Sequence, residues 1–385
     1  MTICRRFVFN SDSLIIALFT GLCVLLLLIP TGFEDQRPRT SKYERARVTA
    51  VDNSDLRQSG MIRSGIQQIT VEVLSGKFKG QTAVCSNPLQ GKMELDEIYA
   101  PGHTILLEFD IKDGKIRSAF SRGYYRIRTE IILLCLFALL LIVVGGWTGI
   151  KALISFVFSA LMLWKVMVPL FLNGHDPIWI ALIVVAILTG ATSLLVGGLS
   201  RKGLVTFSGA FLGLCLTCVL AVLFSKGFKV HGAVRPFAET LLYSGYYHLN
   251  LTRIFLSGIF IAASGAVMDL AMDIAASQYE IVEKKPNSTP LELISSGMAV
   301  GRSVIGTMTT TLLLAYSGGY ITMMMLFMAQ GVPLVNVFNL HYVAAEVLNT
   351  IVGSFGLVTV APFTAVVGGF VYTRNNERKN ILKND

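Results

Sequence analysis

The chain has 385 residues, 53% hydrophobic and only 15% charged, with a formal net charge of +9. Soluble domains carry about 25% charged residues, so an ordinary soluble protein is excluded, as are a disordered chain, a coiled coil and a secreted disulfide scaffold. No block of five or six consecutive basic residues occurs, and the basic groups flank apolar segments, so the positive charge reads as a membrane-topology signal rather than a nucleic-acid surface.

A hydrocarbon core of about 30 Å takes about 20 helical residues to cross. The first apolar run, 14–29, follows Arg5 and Arg6 and ends at Pro30 and Gly32. No small-x-small cleavage site follows it, so it is expected to be an uncleaved anchor. Residues 31–129 then hold half of all the charges, 16 of 33 Lys+Arg and 12 of 24 Asp+Glu. Within them, 46–120 reads as β-structure. Residues 69–74 mix β-branched and polar side chains before a Ser75-Gly76 turn, and 104–110 is strand-like. Lys112-Asp113-Gly114-Lys115 is a hairpin signal into 116–120. About five short strands in this length predict a small barrel or sandwich, OB-like by analogy. Cys85 is its one cysteine, so its core has no internal disulfide, and His103 reads as a surface or internally satisfied histidine.

Seven further apolar runs follow, at 130–144, 150–172, 178–196, 204–224, 253–276, 303–328 and 342–372. Trp164 and Lys165 mark an interfacial end of the second, and Pro362 predicts a kink in the last. The expected fold is therefore an α-helical polytopic membrane protein of about eight transmembrane helices with an inserted extracytoplasmic β-domain. Its parts are an N-terminus and anchor (1–30), the β-rich domain (31–128), a seven-helix membrane domain (129–373) and a basic tail (374–385). Arg5, Arg6, Lys151, Arg201, Lys202, Lys284, Lys285, Arg302, Arg374, Arg378, Lys379 and Lys383 all fall on one side when both termini are cytoplasmic. Loop 225–252, with Lys226, Lys229 and Arg235, is the exception.

Candidate functional residues concentrate in the last three spans. Asp269 and Asp273 share one face of the sixth. Thr289-Pro290-Leu291-Glu292 is a helix-start signature, and its helix runs through Gly297, Gly301, Arg302 and Gly306 into Thr307, Thr309, Thr310 and Thr311. Antiparallel packing would bring Arg302 to the level of the two aspartates. This set reads either as an ion pair fixing two helices, with Gly265, Gly301 and Gly306 allowing close approach, or as an ion pathway through Asp269, Asp273, Arg302, Thr307 and Thr310. Glu346 and Asn349 share a face near the start of the last span, after His341. They read either as a polar vestibule or as a solvated helix start, the plainer alternative. Gly145-x-x-x-Gly149 and Gly209-x-x-x-Gly213 read as packing motifs, Cys215-x-x-Cys218 as small packing residues, and Met323, Met324, Met325 and Met328 as packing or lipid-facing side chains.

Residues 265–277, Gly-Ala-Val-Met-Asp-Leu-Ala-Met-Asp-Ile-Ala-Ala-Ser, and 296–318, Ser-Gly-Met-Ala-Val-Gly-Arg-Ser-Val-Ile-Gly-Thr-Met-Thr-Thr-Thr-Leu-Leu-Leu-Ala-Tyr-Ser-Gly, resemble the YibE/F family of bacterial multi-span membrane proteins. Glu346, 352–357 and Ala361-Pro362-Phe363-Thr364 fit as well. The order of anchor, outer β-domain and seven-span body is similar to the longer, YibE-like members. The chain departs from that family at Ser303, where an acidic residue often follows the arginine, at Thr310, where an asparagine often stands nearby, and at Asn349, near a frequent basic position. The resemblance implies a bacterial cell membrane and a permease-like role with no defined substrate.

The leading expectation is thus a transporter or permease component. The alternative is a non-transporting scaffold or sensor whose β-domain binds an envelope component or a partner protein. No nucleophile with a positioned base, metal-ligand cluster, Rossmann or P-loop fingerprint is present in the sequence, so neither an enzyme nor a cofactor or metal is expected. The expected partners are the lipid bilayer and either further copies of the chain or a second membrane subunit, not nucleic acid.

Overall fold

The structure, a computed structural model, describes residues 11–34, 41–112 and 115–384. The chain divides into two compact units, Gly32–Val143 and Met1–Thr31 with Val144–Asp385.

The first unit is built on six strands, β1 (Ser41–Asp52), β2 (Arg57–Ser59), β3 (Ile62–Val73), β4 (Thr82–Gln90), β5 (Thr104–Lys112) and β6 (Lys115–Tyr124). Five of them close a ring in the order β1-β5-β6-β4-β3, and β3 pairs back onto β1. Every pairing in the ring is antiparallel except β4 with β6, which meet in parallel at Ser86 and Phe120. That order, with its single parallel pair, is the connectivity of an OB-type barrel. The pairing of Lys112 with Lys115 fixes the expected hairpin, whose tip residues Asp113 and Gly114 lie outside the described residues.

Period-two alternation puts Ile69, Val71, Val73, Ile105, Leu107 and Phe109 inside the barrel. Gln67 is the polar exception and is fully buried. Its Nε2 donates to Asn53 Oδ1 (2.9 Å) and to the Tyr99 carbonyl (3.0 Å), while its Oε1 accepts from the Tyr99 N–H (3.0 Å). One glutamine thereby pins the 91–103 segment against the barrel without leaving either end of its amide unpaired. Glu97 in that segment accepts from the Tyr124 N–H (2.8 Å) and pairs with Arg126, at the start of the first long helix. His103 accepts from the Ala100 N–H at 3.1 Å, as a satisfied histidine should.

The helices are α1 (Ser11–Leu28), α2 (Ile127–Leu161), α3 (Val168–Leu172), α4 (Pro177–Gly197), α5 (Arg201–Phe228), α6 (Ala238–Tyr243), α7 (Leu251–Lys284), α8 (Pro290–Ser317), α9 (Ile321–Ala329), α10 (Leu334–Asn339) and α11 (His341–Asn384). Among the described residues six helical runs are long and apolar enough to cross a membrane, and 13–28 is a shorter apolar helix. The runs expected at 130–144 and 150–172 are limbs of one such stretch, Ile127–Leu172. Its break is Gly146, at φ 53° and ψ −127°, a backbone state open to glycine and strained for other residues. The run expected at 303–328 is interrupted by a 3₁₀ turn at Gly318–Tyr320, whereas α11 continues through Pro362. A π-helical turn, Met162–Met167, joins α2 to α3. Lys165 in that turn donates to the Ile29 carbonyl past the end of α1 (2.9 Å), and Trp164 is exposed. Arg5 and Arg6 lie outside the described residues, as do the side chains of Arg378, Lys379 and Lys383.

The body of the second unit is α5, α7, α8 and α11 packed together. Lipid tails are as apolar as leucine, so packing here depends on close approach rather than on apolar burial from water. Small residues supply it. A Cβ on Gly209 would lie 2.8 Å from Thr364 Cα, and one on Gly213 would lie 3.1 Å from Val360 Cβ. Gln278 locks three helices, its Nε2 donating to the Leu293 carbonyl of α8 and the Ala365 carbonyl of α11, both at 2.9 Å. The expected start signature of α8 forms a capping box, with the Thr289 N–H donating to Glu292 Oε2 and the Glu292 N–H to Thr289 Oγ1.

Candidate functional site

At one end of the helical body, the loop before α7, the C-terminal end of α8 and the first turns of α11 bring charged groups together. Arg235 follows a 3₁₀ turn, Gly232–Val234, that lies directly against the start of α7. A Cβ on Gly232 would overlap the Leu251 carbonyl, so this approach is open only to glycine. Arg235 then reaches over the Phe255 ring at 5.2 Å, donates from Nη1 to Tyr320 Oη (2.7 Å) and stands 3.8 Å from Glu346 Oε2. Tyr320 is aimed there by the Gly318–Tyr320 turn that ends α8.

Glu346 is not the solvated helix-start carboxylate that was the plainer expectation. Its side chain is only 13% exposed. Asn349, buried one helical turn on, donates from Nδ2 to Glu346 Oε1 at 3.4 Å, and Glu346 Oε2 is buried without a hydrogen-bond donor. Tyr316 Oη, on α8, is likewise buried without a partner. A partly desolvated ion pair beside two oxygens that lack a protein partner can accept a further donor.

The cluster stands between two cavities. One, of about 650 Å³, includes Arg235 and Asn349 in its wall with Phe255, Gly258 and Ala262 of α7. The other, of about 960 Å³, includes Glu346 and Tyr320 with Met323, Met324, Phe327 and Met328. Met323, Met324 and Met328 of the sequence's methionine set thus line an apolar cavity whose polar residues include Glu346, Tyr320, Ser317 and Thr350, while Met325 is exposed outside it. Among the described residues no group of three or more His, Cys, Asp and Glu could hold a metal ion.

The other sequence candidates are elsewhere. Asp269 and Asp273 are exposed on α7, and Arg302, Thr307 and Thr310 are exposed on α8. The expected pairing of Arg302 with the aspartates does not form. Among the described residues none of the three makes an ion pair. The helix faces explain this: α8 turns Gly297 and Gly301 toward Gln278, Ile274 and Ala361, which directs Arg302 away, and α7 buries Leu270 and Ile274, which directs Asp269 and Asp273 outward. The threonines spend their hydroxyls on their own helix, Thr307 on the Val304 carbonyl (2.9 Å) and Thr310 on the Gly306 carbonyl (3.0 Å). Of the three expected packing glycines only Gly301 packs, with Ala361 Cβ 2.7 Å from where its own Cβ would be. Gly265 and Gly306 have nothing within 4 Å, because they share the outward faces of the charges.

Sequence reasoning missed Arg235, Tyr316 and Tyr320. For Arg235 a signal existed: it lies in loop 225–252, the exception to the expected charge asymmetry, and the structure pairs it with Glu346.

Comparison with curated proteins and with solved structures gives no match for the chain. Two family descriptions match, however: YibE/F-like protein over residues 133–374 and YibE/F family N-terminal domain over 40–122. The second covers β1 to β5 and most of β6, and the first covers both the Arg235–Glu346 cluster and the charged faces of α7 and α8. The chain belongs to the YibE/F family.

Proposed function

We propose that the chain is a transporter or permease component of the cell membrane, with Arg235, Glu346, Tyr320, Tyr316 and Asn349 as the polar station on its pathway. One observation carries the reading: a partly buried Arg–Glu pair, each partner lining one of two cavities, stands at one end of a bundle of apolar helices. Charged residues in such a setting are costly to keep and characteristically mark solute or ion pathways. The reading includes eight spans, with α1 as an anchor and the two limbs at Gly146 crossing separately. It also places both termini in the cytoplasm and residues 31–128 outside. Its support is the clustering of Arg201, Lys202, Lys284, Lys285 and Arg374 at the ends of α4, α5, α7, α8 and α11 away from the cluster.

The test is reconstitution in proteoliposomes. Proton movement is followed with an entrapped pH-sensitive dye, and solute movement with a panel of labelled ions and small organic solutes. At least one species should cross with the wild-type chain and stop crossing in Glu346→Gln and Arg235→Gln at unchanged insertion. A wild-type chain that moves none of them, or variants that move them normally, would count against the proposal.

A second reading, a scaffold or sensor acting through the barrel, is favoured by the apolar side chains of Val84 and Phe120, exposed on the neighbouring strands β4 and β6. It requires that function be lost when residues 41–124 are deleted and that cross-linking through this face recover a partner.

A further inference from the structure

Two outward faces of the helical body remain unaccounted for. On α7, Gly265, Asp269 and Asp273 recur at helical spacing and all are exposed. On α8, Arg302, Gly306 and Thr310 form a second exposed stripe. A Cβ on Gly265 or Gly306 would meet nothing within 4 Å, and the three charges have no ionic partner among the described residues. Facing lipid, such charges would be among the least tolerated groups in a membrane helix.

We propose that these faces are the interface with a second copy of the chain, in which Asp269 and Asp273 of one copy meet Arg302 of the other. Three features select a second copy. The faces carry opposite charge, so two identical chains complement each other twice over. Depth matches as well. Asp273 lies about 17 Å along α7 from Lys284, and Arg302 about 18 Å along α8 from Pro290, at 1.5 Å per residue. A two-fold axis along the membrane normal keeps every residue at its own depth, so residues that pair across it must be equally deep within one chain. Finally, the glycines beside the charges let backbones approach closely enough for short side chains to meet. The charged set expected to pair within one chain is thereby completed between two.

The experiment exchanges charge between copies. One tagged chain carries Arg302→Asp, and a differently tagged chain carries Asp269→Arg with Asp273→Arg. In lipid nanodiscs the wild-type chain should be dimeric. Each variant alone juxtaposes like charges and should self-associate at least tenfold more weakly, and the two co-expressed should recover a mixed dimer carrying both tags. Because charge reversal also threatens insertion, a second measurement adds one introduced cysteine per chain, in native membranes, to a chain whose six native cysteines are replaced by serine. Chains with Asp273→Cys and chains with Arg302→Cys should form a mixed disulfide under mild oxidation that the cysteine-free parent does not. A wild-type chain monomeric at every protein-to-lipid ratio would overturn the proposal. So would variants that each dimerise as well as wild type, cysteine chains that insert but do not cross-link, or assembly only with a different subunit.

Discussion

Arg235 stands 3.8 Å from Glu346 although the two are far apart in the chain. It is held there by a glycine turn pressed against the start of α7, by the Phe255 ring and by Tyr320 Oη. The pair gathers the loop before α7, the end of α8 and the start of α11 into one polar station at one end of an apolar body.

Removing either partner strands the other in a partly desolvated site. Because Arg235 is 40% exposed, the cost is smaller than for a fully buried pair, about 1–2 kcal/mol for Arg235→Met or Glu346→Met. The double substitution should restore part of the loss. Thermal unfolding in detergent of the two single variants and the double variant measures the coupling, and strictly additive losses would show that the pair does not interact.

The helix contacts predict opposite outcomes for two glycines of α5. Gly209→Val forces a side chain into the backbone of α11 at Thr364 and should destabilise the chain by about 1–3 kcal/mol or more. Gly227 has open space where its Cβ would be, so Gly227→Ala should be neutral, or stabilising by up to about 1 kcal/mol through helix propensity. Unfolding midpoints in one detergent decide this, and equal losses at both positions would contradict the packing.

Cys85 is fully buried between barrel strands, and burial pushes its thiol up to about 12. Only the thiolate reacts appreciably with maleimide. At neutral pH the native chain should therefore leave Cys85 unlabelled for as long as the barrel stays folded and label it fully in denaturant. Peptide mass spectrometry reads the position directly, and rapid native labelling would mean that the barrel opens.

Asp176 caps α4 by accepting from the Ile178 N–H (3.0 Å) and pairs with Arg253 of α7. Burial acts to raise its carboxyl, but the hydrogen bonds from Arg253 and the α4 backbone outweigh it and hold the group below the usual carboxylate range. A lowered folded value means that stability is present above the unfolded value of about 3.9 and is lost as pH falls through the folded one. Wild type should thus lose part of its advantage over Asp176→Asn on acidification below about pH 4. Asp176→Ala should cost about 1 kcal/mol at neutral pH through the lost cap. A stability difference that does not change with pH would refute the ionised pairing.

Features written in short stretches of sequence were legible. The apolar runs, the capping box at Thr289 and Glu292, the hairpin from Lys112 to Lys115 and the barrel's alternation each follow from a few consecutive residues obeying local backbone chemistry. Orientation on a helix was only half legible. Spacing placed Asp269 with Asp273, and Glu346 with Asn349, on common faces, but not which way those faces point. The same small-residue pattern that packs at Gly209 and Gly301 points into open space at Gly265 and Gly306, since only the neighbouring helix distinguishes them.

The sequence by itself therefore determined a membrane protein with an inserted β-domain, because apolar length and period-two alternation are properties of consecutive residues. Only the tertiary structure decided which charges meet. Arg235 and Glu346 were placed together by the packing of distant segments, while Arg302 and the aspartates were turned apart because the glycines of α8 and the aliphatic face of α7 claim the space between those helices.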